Sequence, residues 1–173
     1  QAIKNKISVS FIEAIYLAPY GVQAMSQSVK GVVETSNNIA IIKLEDDKFK
    51  LLSSTRSLVE SAKEETALRV GAAFEILGFK VIYNDSYPSW APNPNSQLTK
   101  KVVAEYKKYS GKAPVVTCIH AGLECGIINS LVPGMDSISI GPNLFDVHSV
   151  NEHIEYDSAV RTMGFLRHLI KAL

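Results

Sequence analysis

Glu45-Asp46-Asp47-Lys48-Phe49-Lys50-Leu51-Leu52-Ser53-Ser54-Thr55-Arg56 is the stretch whose reading decides the fold class. Glu45-Asp46-Asp47-Lys48 is a polar turn, and the residues after it alternate. Phe49, Leu51, Ser53 and Thr55 fall on one face; Lys48, Lys50, Leu52, Ser54 and Arg56 fall on the other. Strict alternation with one apolar side is the signature of a half-buried strand. Residues 32–44, just upstream, are rich in β-branched and apolar types, so the two runs form a hairpin with one covered face. Arg56 sits on the side of the lysines, away from the core.

Working outward, the hairpin is followed by Ser61-Ala62-Lys63-Glu64, which matches a capping box. Ala67, Val70, Phe74 and Leu77 then make a helical stripe that Gly78 ends. Residues 80–83 read as a short strand. Ahead of the hairpin, Ile3, Ile7, Phe11, Ala14, Ile15 and Ala18 recur at helical spacing until Pro19 and Gly21 break them. The expectation is a leading helix and then β-β-α-β, most of a small α/β sandwich with an antiparallel sheet. Residues 84–96 hold Pro88, Pro92 and Pro94 and suit neither a helix nor a central strand. Tyr87 and Trp90 are expected to pin this boundary segment to a surface. The expected units are therefore 1–86 and 87–173.

The second unit reads α-β-α-β-α. A helix over 96–109, striped by Leu98, Val102 and Tyr106, stops at Gly111 and Pro114. Residues 115–119 are a continuous apolar run, as in a buried strand. A glycine-punctuated, partly helical segment covers 120–129, and 136–140 is a second short strand. Residues 141–151 form a loop. An amphipathic helix over 157–173 turns Val160, Met163, Leu166 and Ile170 inward. That order is half of an α/β layer whose remaining strands lie elsewhere.

The 173 residues are 46% hydrophobic and 20% charged, which is globular rather than disordered. A net charge of +1 gives no reason to expect nucleic acid or an anionic membrane as a partner. No run approaches the ~20 apolar residues of a membrane span. The opening Gln1-Ala2-Ile3-Lys4-Asn5-Lys6 lacks a signal peptide's apolar core. A chain that opens inside a helix reads as a fragment of something longer. Cys118 and Cys125 have neither C-x-x-C spacing nor the number for a disulfide framework, so buried thiols in a reducing cytoplasm are expected.

Three segments carry groups suited to chemistry. His120-Ala121-Gly122-Leu123-Glu124-Cys125-Gly126 follows an expected strand, where open α/β sheets bind ligands. Its plainer reading is a strand-to-helix turn with Glu124 as the carboxylate of a helix N-terminus. Residues 141–152 place His148 on a loop with Asp146 and Glu152 nearby, carboxylates of the kind that orient metal-binding imidazoles. A solvated loop histidine is the plainer reading there. Arg56 could hold a substrate carboxylate with two parallel hydrogen bonds, or simply be a surface arginine. His153 and His168 are given no role.

Taken in order, the motifs resemble one family. They are Val32-Val33-Glu34-Thr35-Ser36-Asn37-Asn38, Arg56-Ser57-Leu58-Val59-Glu60-Ser61, Tyr87-Pro88-Ser89-Trp90-Ala91-Pro92, His120-Ala121-Gly122-Leu123-Glu124-Cys125-Gly126, Pro133-Gly134-Met135-Asp136 and Gly141-Pro142 with His148-Ser149. Their order and spacing resemble the aminoacyl-histidine dipeptidases, carnosinase-like members of the cocatalytic di-zinc peptidases. The resemblance runs from about Val32 to the end, and the His120–Gly126 run is its most specific part. It implies an α/β zinc-peptidase catalytic domain interrupted by an inserted lid. Residues 1–86 would be the last part of the lid or dimerisation domain, and 87–173 the C-terminal portion of the catalytic domain. His148 would match the late histidine ligand of one of two zinc ions. Arg56 would match a lid arginine that binds the substrate carboxylate, with Gly122 and Glu124 near the substrate. The general base and the other ligands would lie upstream.

The implied reaction is hydrolysis of X-His and similar dipeptides by a zinc-activated water, in the cytoplasm, with lid closure excluding solvent. Catalytic zinc usually takes about three protein ligands, so the chain alone is expected to be inactive. Three residues at two places depart from the family pattern: Val150-Asn151 stands where Pro-Asp is usual, and Ser89 where Gly is usual. Losing an orienting carboxylate can cost ~10–100-fold in metal affinity or activity, and Glu152 is the carboxylate left nearby. The dipeptide is the expected partner, with a homodimer through the lid as a further one. The competing functional classes are a non-catalytic peptide-binding or dimerisation module and a paralogue that binds peptides without cleaving them.

Overall fold

The computed structural model describes residues 5–84, 86–120 and 123–173. Contacts divide the chain into two compact units, Gln1–Pro92 with Cys118–Ser130, and Asn93–Thr117 with Leu131–Leu173. Among the described residues no helix is long and apolar enough to cross a membrane.

The first unit contains α1 (Asn5–Leu17), β1 (Gly21–Met25), β2 (Val33–Glu45), β3 (Lys48–Ser57), α2 (Glu60–Glu75) and α4 (Glu124–Leu131). The strands form an antiparallel sheet in the order β1-β2-β3. Asp46 and Asp47 take φ values of 50° and 56° between β2 and β3. Two successive left-handed residues make the turn whose twist matches a two-residue hairpin, and aspartate tolerates that region better than most side chains. Burial along β3 alternates at every residue, with Phe49, Leu51, Ser53 and Thr55 on the more buried side. That is the alternation expected from the sequence.

Helices α1 and α2 supply most of the core. Phe11, Ala14 and Ala18 of α1 and its C-terminal end pack with Val70, Ala73 and Phe74 of α2, and Phe49, Leu51, Phe79 and Val81 close around them. Phe11 stacks on Phe49 at 4.1 Å between ring centroids and meets Phe79 edge-on at 5.6 Å. Such pairs add to area burial because ring edges and faces carry opposite partial charge. At the centre of the sheet Asn37 is only 2% exposed. Its amide donates to the Pro19 carbonyl at 2.7 Å, and its carbonyl oxygen accepts from Ser53 Oγ at 2.9 Å and Thr55 Oγ1 at 2.8 Å. A buried amide so satisfied stabilises; the same amide unpartnered would cost.

Three expectations for this unit change. Residues 80–83 join no ladder; Phe79 and Val81 instead anchor that segment by side-chain packing. The third strand is β1, whose Val22 and Met25 are exposed and so gave no periodic signal. Helix α2 starts at Glu60 with Val59 as N-cap and no side-chain cap, so Ser61 does not serve as a capping box. Glu60 instead accepts from the Ser89 backbone N–H at 2.8 Å and pairs with buried Lys63 at 2.6 Å. Lys63 also donates to the Tyr87 carbonyl. These contacts hold the proline-rich segment, as Gly126 does from α4. A Cβ added at Gly126 would lie 2.8 Å from the Pro88 carbonyl oxygen and 3.5 Å from Trp90 Cβ.

The second unit contains α3 (Gln97–Ser110), β4 (Leu144–Phe145), β5 (His153–Ile154) and α5 (Tyr156–Ala172). Ser96 caps α3 by accepting from the Thr99 N–H at 2.8 Å, and Asp136 accepts from the Leu98 N–H at 3.0 Å. Those backbone bonds hold the Asp136 carboxyl below its usual range, with the Leu98 N–H the largest cause. Gly111 ends the helix in the left-handed region at φ 74°. Val102, Phe165 and Leu169 form the small core, flanked by Leu98, Tyr106 and Ile138.

Here too the sequence reading needs correction. The face of α5 that packs is Ser158, Phe165 and Leu169, while Val160 is 55% and Ile170 72% exposed. Helix α5 is apolar on two sides, and periodicity cannot choose which side meets α3. Residues 115–119 and 136–140 form no ladder either, and Val115 is 90% exposed. A buried parallel strand needs ladder partners on both edges, and among the described residues neither run is assigned as a strand.

Candidate functional site

Arg56 lies on the exposed side of β3, directly opposite Ser36 of β2. Directly paired residues of antiparallel strands project to the same face. On that face Ser36 Oγ lies 2.6 Å from His120 Nε2. Burial and the Arg56 charge both keep the His120 imidazole below its ordinary pKa, against an opposing pull from the Val33 backbone. Among the described residues no carboxylate pairs with Arg56. The result is a positive, donor-rich surface made of a guanidinium, an imidazole and a hydroxyl.

The register that makes this group depends on a bulge between Ile39 and Ile41. Without the extra residue, Asn37 would stand opposite Arg56, and every side chain of β2 beyond it would change face. Neither Ser36 nor His120 was singled out from the sequence for that reason. His120 does belong to the most specific motif, and that was the available signal. Of the other expected residues, Glu124 opens α4 as its first-turn carboxylate and is exposed. Gly122 lies outside the described residues.

His148 belongs to the second unit, on the loop between β4 and β5. Its φ is 66°, and that of Asp146 is 51°. Left-handed conformations cost non-glycine residues energy, and here paired strands and hydrogen bonds impose them. Glu152 accepts from the His148 backbone N–H at 2.9 Å, so it shapes the loop rather than orienting the imidazole. Asp146 lies 3.9 Å from His153 Nδ1 instead. That nitrogen is 2.8 Å from the Asn151 carbonyl, and the ring stacks on Phe145 at 5.3 Å.

Among the described residues no three His, Cys, Asp or Glu side chains converge as a metal site. One exposed imidazole does not fit a catalytic zinc, which takes about three protein ligands. No reaction step through zinc can be built from these residues. Cys118 and Cys125 are thiols and only partly buried, with burial pushing the Cys118 thiol up. His168, given no role from the sequence, lies 3.0 Å from Glu105, which also binds Lys108. The His168 contact joins α5 to α3, and the Lys108 contact lies within α3.

No family model matches the sequence. The chain is 33% identical to the cytosol non-specific dipeptidase of Escherichia coli (strain K12), over 99% of its own length and 36% of that protein's. Among solved structures it matches aminoacylhistidine dipeptidase from Vibrio alginolyticus, with a TM-score of 0.83 and 32% identity, over 98% of this chain and 35% of that one. It also matches aminopeptidase PepT from Bacillus cereus with a TM-score of 0.78, over 94% of this chain and 44% of that one. At 18% identity the last comparison speaks to the fold alone. The chain spans little more than a third of the curated dipeptidase it matches, and over that span it is similar to dipeptidases in both sequence and fold.

Proposed function

We propose that this chain is part of a metal-dependent dipeptidase that cleaves X-His and similar dipeptides, and that it is inactive alone. The observation that carries the reading is likeness along nearly the whole chain, 33% identity over 172 residues, to a protein named as a dipeptidase. In this reading Arg56 receives the free carboxylate of the substrate, with Gly122 and Glu124 near the peptide. A guanidinium on an exposed strand face, with no carboxylate partner among the described residues, suits that task. His148 supplies one ligand to zinc, and the remaining ligands and the general base come from outside these residues. The name of the curated relative also favours a cytoplasmic location.

The test compares hydrolysis of X-His dipeptides, with and without added zinc, by this chain and by the longer gene product containing it. Activity in the longer product alone is the expected result. Activity in neither overturns the dipeptidase reading. Activity in the 173-residue chain by itself overturns its dependence on residues beyond it.

A second role is compatible with the first. Ile41, Ile42, Leu44 and Leu52 are all exposed near the tip of the β2–β3 hairpin. Ile41 and Leu52 share one face and Ile42 and Leu44 the other, and exposed apolar side chains on both faces favour association with a second copy of the chain. Sedimentation of dilute protein tests it: a dimer that Leu44→Lys dissociates is expected, and a monomer at all concentrations overturns it.

A further inference from the structure

We propose that His120 is a positioning residue for substrate carboxylate, acting through Ser36. The imidazole donates to Ser36 Oγ, and the serine hydroxyl donates onward to the carboxylate that Arg56 holds. This rests on the dipeptidase reading and extends it to two residues of the same strand face.

Three observations support the assignment. Ser36 and Arg56 are direct cross-strand partners, so their side chains share one face and one ligand can touch both. The 2.6 Å contact between Ser36 Oγ and His120 Nε2 fixes which way the serine points. The guanidinium is exposed, and among the described residues no carboxylate neutralises it, so the group as a whole favours an anion. Burial and the neighbouring guanidinium lower the imidazole's pKa, and in the neutral form one ring nitrogen is a donor that can serve Ser36 without adding a second charge. A carboxylate held by a guanidinium alone can swing about it; a second donor fixed by His120 removes that freedom.

A latch that merely ties residue 120 to the sheet would show the same distances, so the test must separate the two. The 173-residue chain is titrated with glycyl-histidine and with glycyl-histidine amide, following the Arg56 Nε–H signal by NMR. The free acid is expected to shift that signal and to bind about tenfold tighter than the amide, as suits hydrogen bonds to a charged group. His120→Leu and Ser36→Ala are expected to lose that preference, and His120→Gln, which keeps a side-chain N–H donor, to retain most of it. Variants that weaken acid and amide alike, or keep the preference while Arg56 still responds, overturn the role of His120 and leave that of Arg56 standing. A wild-type chain in which Arg56 does not respond to the acid overturns both. Should His120→Leu fail to fold, Ser36→Ala decides the question.

Discussion

The two units satisfy their own apolar sequence to different degrees. In the first, two helices and a three-stranded sheet enclose Phe11, Ala14, Val70 and Phe74. The second has only α3 against α5, a core of Val102, Phe165 and Leu169, and long apolar runs in the open. Hydrophobic pattern is a statement about partners. Where the chain contains both sides of a contact, pattern and structure agree. Where it contains one side, as at Val115 or on the outer face of α5, the apolar residues remain exposed.

The comparison can be broken most directly at its strongest point. Phe74→Ala removes a 6% exposed ring from the aromatic cluster and should cost about 3–5 kcal/mol. Urea unfolding followed by circular dichroism measures it, and a loss under about 1 kcal/mol would mean that cluster does not hold the first unit. Next comes Asn37→Ala, which strips the Ser53 and Thr55 hydroxyls and the Pro19 carbonyl of their partner. The same titration should show a loss of about 1–3 kcal/mol.

In the second unit the effects shrink. Ser96→Ala removes the α3 cap and should cost about 1 kcal/mol. Amide exchange at Thr99, whose N–H loses its acceptor, should accelerate first. The clasp between α3 and α5 has a pH dependence of known sign. The Lys108 hydrogen bond, with a smaller one from His168, outweighs burial and lowers the Glu105 pKa. A carboxyl with a depressed folded pKa contributes stability above its unfolded value, and loses it as pH falls through the folded one. The acid decline in melting temperature should therefore flatten in Glu105→Gln, and an unchanged slope would contradict the ion-pair geometry. The smallest effect should be that of Val115→Ser, at a position 90% exposed. Within about 0.5 kcal/mol is expected for such a site, and a larger loss would show that the Val115 side chain is packed rather than exposed.

Much of this was legible beforehand where local physics decides it. The hairpin turn at Asp46 and Asp47, the alternation of β3, the stripe of α2 and the span of α3 all follow from side-chain period and turn chemistry. Arg56 could be placed on the outer face by counting residues from that turn. Strand β1 could not be found, because its apolar residues face solvent and period-two burial is the signal. Ser61 does not cap the helix because a capping motif states only a local option, while Glu60 and Lys63 make longer-range bonds at a helix that starts earlier, just after the Ser57–Val59 turn.

The sequence by itself determined the helices and the β2–β3 hairpin, their local periods, the exposed arginine and a motif series that resembles the dipeptidases. Only tertiary structure decided that α5 packs through Phe165 and Leu169, that Asp136 caps α3, and that His120 meets Ser36 beside Arg56. The reason is the same in each case. Period and propensity act between residues a few positions apart, whereas these contacts join residues 38 and 84 positions apart. One of them also depends on a bulged residue that no periodicity announces.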